Sequence, residues 1–252
     1  MADELIRMEN ISKSYGRVQA LEQVNLTVHQ KEIVGLLGDN GAGKSTLIKV
    51  LSGAVPATSG DIYIRGRKVN IRSTTDAIAN GIETIYQDLA LANNLDVSAN
   101  IFLGREVKLS YLGGLIRMLD EVHMLRESQE ALRSLEIHFP NLTRPIESLS
   151  GGQRQAVAIA RAVYWDAKLV IMDEPTNNLG VPEQQKVLEL IRRLRDGGVP
   201  VILITHTLPD VFAVADRLMV MHRGRKVTEK KISETSTPEL VQYMVGALDD
   251  TR

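Results

Sequence analysis

The chain contains no cysteine, which excludes disulfide bonds, thiolate nucleophiles and cysteine-ligated zinc and fits a reducing compartment. Aromatic residues make up only 4% of it, leaving few platforms on which nucleic-acid bases can stack. Neither sign of charge dominates: 30 Lys and Arg stand against 31 Asp and Glu, a formal net charge of −1. There is no general electrostatic pull toward nucleic acid, so no nucleic-acid partner is expected. No apolar run approaches the roughly 18–20 residues that span a bilayer. The opening Met1-Ala2-Asp3-Glu4-Leu5 has no basic segment followed by an apolar one, so no secretory leader is expected. The 252 residues suffice for one large domain, 1–252, with a substantial core and no covalent staple. Any membrane role is expected to come through a partner.

The stretch Gly38-Asp39-Asn40-Gly41-Ala42-Gly43-Lys44-Ser45-Thr46 organises the rest. The apolar run Ile33–Leu37 leads into it and the helical pattern Leu47–Leu51 leads out, so it reads as strand, glycine loop, helix. It fits G-x-x-x-x-G-K-[ST], in which backbone N–H groups surround phosphate oxygens, the lysine reaches the β- and γ-phosphates and the hydroxyl binds Mg²⁺. The positive end of the helix that follows faces the same anion.

Elsewhere the chain alternates strands and helices. Leu5–Ser12 and Val18–Val28 read as strands about a turn at Gly16, with Tyr15 at that turn. A hairpin over 60–71, a short helix Ser73–Asn80 and a strand Ile82–Tyr86 follow, with Gln87 at the strand end. From about 88 to 165 the pattern turns mostly helical, with an irregular part at Gly113-Gly114, and reads as a helical lobe inserted in an α/β core. Trp165 ends a helix and is expected to pack in the core. The basic pieces Arg65-Gly66-Arg67-Lys68 and Arg223-Gly224-Arg225-Lys226 read as solvated hairpin turns.

Asp173 and Glu174 follow the buried strand Leu169–Met172, where open α/β sheets place their ligands. On a triphosphate, Mg²⁺ keeps near-octahedral oxygen ligands, so Ser45 and Gln87 can coordinate it while Asp173 holds one of its waters. Glu174 can then accept a hydrogen bond from the attacking water. Ser150-Gly151-Gly152-Gln153 opens a second helix and is either another anion site or an ordinary serine cap. His206 follows the strand Val201–Ile204 and can donate to a γ-phosphate oxygen, although a lone strand-end histidine is more often satisfied by backbone. His29, His123, His138 and His222 are spaced for no metal site.

Together, Gly38–Thr46, Gln87, Leu149–Gln153, Leu169–Glu174 and His206 resemble the ATP-binding-cassette (ABC) ATPases in order and context, across nearly the whole chain. The resemblance implies a phosphate-loop NTPase core with an antiparallel β lobe and an inserted helical lobe, and ATP and Mg²⁺ as ligands. It implies that Tyr15 stacks on adenine, Gln87 binds Mg²⁺, Glu174 is the general base and His206 contacts the γ-phosphate. Ser150, Gly151, Gly152 and Gln153 would cap the nucleotide of a second copy in a homodimer with shared sites. Tyr86–Leu91, Asn100–Glu106 and Asp210–Arg217 are similar to the monosaccharide importers of the ribose, xylose and fructose type. That branch implies transmembrane permease subunits, an indirect sugar-binding protein and a peripheral place on the cytoplasmic face of the membrane. An importer for another small solute, a non-transport ABC protein and a soluble phosphotransferase stay open beside it. Asn177-Asn178-Leu179-Gly180 departs from the small residues followed by Leu-Asp usual in the wider family, which bears on how paired sites communicate.

Overall fold

Sheet order places the candidate residues, and the strands that are apolar on both faces take its interior. In the computed structural model, which describes residues 4–111, 116–139 and 141–250, the chain runs β1 (Glu4–Tyr15), β2 (Val18–His29), β3 (Ile33–Gly38) and α1 (Lys44–Leu51). Then come β4 (Ser59–Ile64), β5 (Arg67–Val69), α2 (Thr74–Ala79), β6 (Ile82–Ile85), α3 (Val97–Ile101), β7 (Lys108–Tyr111) and β8 (Ile116–Leu119). After α4 (Glu121–Ser134) and α5 (Gly151–Tyr164) follow β9 (Leu169–Asp173), α6 (Val181–Asp196) and β10 (Val201–Ile204). The chain closes with α7 (Leu208–Val214), β11 (Arg217–His222), β12 (Arg225–Lys231) and α8 (Thr237–Met244).

Two compact units result. The first takes in 1–87, 168–175 and 191–252, the second 88–167 and 176–190. In the first unit, six strands form a sheet in the order β12-β11-β3-β10-β9-β6. All neighbours are parallel except β12, which pairs antiparallel with β11. Every residue of β3 and β10 is buried, as expected of inner strands covered on both faces. The other sheet of this unit, β2-β1-β4-β5, is antiparallel, and from Val24 to Val28 the strand β2 alternates buried and more exposed positions. Its inner face, with Met8, Ile11, Leu21 and Val24, belongs to one core cluster with Leu47 and Ile48 of α1 and Ile202 of β10.

The second unit is built on α3, α4 and α5, which pack on one another. Ser98 of α3 and Ser128 of α4 are both buried and share a hydrogen bond at 3.2 Å. The stretch expected to be irregular carries the antiparallel hairpin β7–β8, while Gly113-Gly114 lie outside the described residues. Its strands have four residues each, too short for their alternation to stand out from a helical pattern. Trp165 also departs from expectation. It is half-buried, stacked edge-on to Phe102 and Tyr164, with Arg105 4.7 Å from its ring centre and its Nε1–H donating to the Ile101 carbonyl at 3.0 Å.

Candidate nucleotide-binding site

Parallel pairing brings the carboxyl ends of β6, β9, β10, β3 and β11 to one edge of the sheet. The register aligns Ile85 with Met172, Asp173 with Ile204, Ile204 with Leu36 and Met221 with Gly38. Gln87, Asp173-Glu174, His206 and the glycine loop thus leave the sheet along one rim of the first unit, from four different strands.

The loop is shaped by close approach. At Gly38, φ is 147°, and an added Cβ would sit 2.3 Å from the Met221 carbonyl oxygen. A neighbouring strand's backbone occupies the space a side chain would need. The loop ends at Gly43, in the left-handed region with φ 104°, and no side chain caps α1 there. The first amides of the helix are therefore free donors at its positive end. The Lys44 ammonium donates to the carbonyls of Gly38 at 2.7 Å and Asp39 at 3.1 Å, turned back over its own loop.

Tyr15, 47% exposed, lies with Val18, Gln19 and Ala20 on one wall of a cavity of about 600 Å³. Asp39 through Thr46 line the rest of it, with Arg223 and Gly224. A concave wall holding an exposed ring and a floor of backbone donors suits a flat base joined to an anion.

Three ionisable groups interact at the rim. Burial pushes the Asp173 carboxyl above its ordinary range, and the Glu174 charge pushes it further, against the pull of Lys44 and Lys49. Burial lowers the Lys44 ammonium, opposed by Glu174, Asp173 and Asp39. Glu174 lies in the left-handed region at φ 50°, its amide donating to the Ile204 carbonyl at 2.8 Å. The His206 Nδ1 meets Glu174 Oε1 at 2.8 Å. A carboxylate only accepts, so Nδ1 carries the proton, and Nε2 becomes a donor as well only in the imidazolium.

The structure thus brings Tyr15, Gly38–Thr46, Gln87, Asp173, Glu174 and His206 into the first unit, whereas Ser150–Gln153 lies in the second. Ser150 closes a capping box: the Gln153 amide donates to Ser150 Oγ at 3.3 Å, and the Ser150 amide donates to Gln153 Oε1 at 3.0 Å. Its hydroxyl is held by its own helix, and the motif is largely exposed.

One basic segment corrects the sequence reading. Arg223-Gly224 is a hairpin turn, but the parallel pairing of β11 with β3 delivers it to the wall of this cavity beside the glycine loop. Turn residues alone carry no signal of this. The pairing of strands some 180 residues apart does.

Comparisons with known proteins give the family. The profile of the family described as ABC transporter matches residues 21–177. The xylose/arabinose import ATP-binding protein of Sulfolobus acidocaldarius is 47% identical over 96% of this chain and 94% of its own length. The fructose import ATP-binding protein of Rhizobium meliloti is 42% identical over 100% of this chain and 98% of its own. A ribose import ATP-binding protein of Escherichia coli O157:H7 is 43% identical over 96% of this chain, which spans 46% of that longer protein. Among solved structures, a nucleotide-free ATP-binding cassette from an ABC transporter superposes with a TM-score of 0.82 at 26% identity, covering 95% of this chain and 98% of that one. A dimeric post-hydrolysis cassette bound to ADP and Pi gives 0.74 at 25% identity, covering 90% and 99%. With the strand, glycine loop and helix on one rim beside paired carboxylates, and with these relatives, the chain belongs to the ABC transporter family as an ATP-binding cassette, an ATPase.

Proposed function

We propose that this ATPase powers a membrane importer for a monosaccharide, working as a pair of copies docked on transmembrane permease subunits at the cytoplasmic face, with a separate sugar-binding protein delivering the solute. The observation that carries the reading is the nearly full-length likeness to two sugar import ATP-binding proteins from distant organisms. No helix among the described residues is long and apolar enough to cross a membrane, and the reading assigns that crossing to the permease.

Within one chain, Tyr15 offers its exposed ring to adenine while the loop amides, the uncapped start of α1 and Lys44 hold the phosphates. The donor set fits Mg²⁺. Asp173 is a half-buried carboxylate raised by burial and by a neighbouring negative charge, and a cation would relieve both. Ser45 and Gln87, both exposed, supply neutral oxygens. On a triphosphate such an ion would be held largely by substrate oxygens and water. When bound, Mg²⁺ supplies charge neutralisation on the β- and γ-phosphate oxygens. Glu174 takes the proton of the water that attacks the γ-phosphorus as the bond to the β–γ bridging oxygen breaks. His206 holds Glu174 in place through Nδ1, and in its imidazolium form donates to a γ-phosphate oxygen through Nε2. Ser150–Gln153 covers the nucleotide of the second copy, so hydrolysis depends on assembly.

In a reconstituted complex, Glu174→Gln should keep ATP affinity and lose turnover about a hundredfold or more. Lys44→Ala should lose ATP affinity, and monosaccharide uptake should stop in both. Hydrolysis at the native rate by Glu174→Gln overturns the assignment of the base. A complex that hydrolyses ATP but takes up no monosaccharide overturns the sugar reading.

A further inference from the structure

Two cations line the nucleotide cavity, and they differ in what occupies them. The Lys44 ammonium is engaged by the Gly38 and Asp39 carbonyls and faces the charges of Asp173 and Glu174. Arg223 makes no hydrogen bond or ion pair with any described residue, although its turn is fixed firmly. The Gly224 amide donates to the Ala42 carbonyl at 2.9 Å, and the Gly224 carbonyl accepts from the Glu22 amide at 2.8 Å. A Cβ on Gly224 would lie 2.8 Å from the Ala20 carbonyl oxygen, so the turn sits directly on the start of β2. The other arginine of the turn, Arg225, is spent on Glu22, with bonds of 2.9 and 2.7 Å to its two carboxylate oxygens. Arg223 and Gly224, at φ 47° and 81°, are the two central residues of the β11–β12 hairpin turn, as Arg65 and Gly66 are of the β4–β5 turn, so the turn itself accounts for the backbone.

The contacts of the turn also say which part of a nucleotide Arg223 meets. Gly224 is bonded between Ala42 and the start of β2, and the hairpin of β2 with β1 carries Tyr15, paired with Val18. That wall is the adenosine side. Asp173, Glu174 and His206 leave the sheet beyond the other side of β3, from β9 and β10. The anion carried by the adenosine half is the α-phosphate, and a guanidinium with five fixed donors matches its oxygens.

We propose that Arg223 binds the α-phosphate and so anchors ATP and ADP alike, leaving discrimination of the γ-phosphate to Lys44 and His206. The proposal rests on the nucleotide-site reading above and adds a contact from β11, on the other side of β3 from the carboxylates. Arg223 also borders a smaller cavity of about 240 Å³, lined by His222, Val227, Gly246 and Asp249. A guanidinium serving the carboxylate there, and not a nucleotide, is the structural alternative.

The test is the affinity of the full chain for ADP and for ATP by calorimetry. Arg223→Asn, which tolerates the left-handed backbone, should weaken both about tenfold, and ATPase assays should carry the loss in KM. Arg223→Lys should recover most of it, and Asp249→Asn should leave ADP affinity unchanged. Equal ADP affinity in Arg223→Asn and the native chain, with Lys44→Ala still losing ATP, overturns the proposal while the phosphate-loop reading stands. Melting temperatures lowered alike by Arg223→Asn and Asp249→Asn, without an affinity change, place the guanidinium in the smaller cavity and also overturn it. If Lys44→Ala binds ATP normally, the reading beneath the proposal is what fails.

Discussion

Two glycine-containing helix starts, α1 and α5, look alike in sequence and are finished differently. The start of α5 is closed by its own side chains, Ser150 and Gln153 each satisfying the other's backbone amide. The start of α1 has no such cap and no acid in its first turn, while a neighbouring backbone crowds the loop before it. A helix end left open inside a cavity is made for a ligand of the same chain. One closed by its own side chains and exposed on the surface is stable alone.

Three perturbations break or sharpen this contrast. The largest effect is expected at Gly38, where alanine puts a Cβ against the Met221 carbonyl, so Gly38→Ala should abolish ATP binding or folding. Calorimetry with circular dichroism separates the two outcomes, and a Gly38→Ala chain that folds and binds ATP normally would show that the close approach does not shape the site. Next is the closed start. Removing the Ser150 hydroxyl costs α5 about 1 kcal/mol, which a chain of this size tolerates. The cysteine-free background then allows Asn40→Cys and Ser150→Cys chains, each also Glu174→Gln, to be mixed with a short thiol cross-linker. A cross-chain product should form with ATP and be weak with ADP. Equal product with both nucleotides would leave α5 without a partner's nucleotide to meet.

The smallest effect is expected at Asp173. Its raised folded pKa means that the native state holds the proton more tightly than the unfolded chain, so this group's contribution falls as pH rises through the shifted range. Asp173→Asn should therefore raise the melting temperature of the nucleotide-free protein by about 2 °C at neutral pH, the gain shrinking as pH falls toward the ordinary carboxylate range. A gain that persists at low pH would assign it to packing instead of charge.

Much of this site is legible in the sequence because its chemistry is local. The glycine loop, the carboxylates after Leu169–Met172 and the histidine after Val201–Ile204 each follow a short apolar run that reads as an inner strand and is one. What escapes is set by long-range pairing. Arg223 reaches the cavity because β11 lies beside β3, and no spacing along the chain states that. The His206–Glu174 hydrogen bond likewise depends on β10 lying beside β9. In the second unit, strands of four residues are too brief to interrupt a helical reading, and 176–190 joins 88–167 through contacts that sequence continuity hides.

The open start of α1 also ties the chain's persistence to the supply of its substrate. Donors that no side chain of the chain caps are available to a nucleotide in the folded form and not in the unfolded one, so binding shifts folding by mass action. At a nucleotide concentration a hundred times the dissociation constant, that shift is worth about 2.7 kcal/mol. A pool of ATP and ADP well above that constant would then act on this chain as a folding ligand, and starvation for nucleotide would expose it to unfolding and proteolysis before any residue of the site had changed.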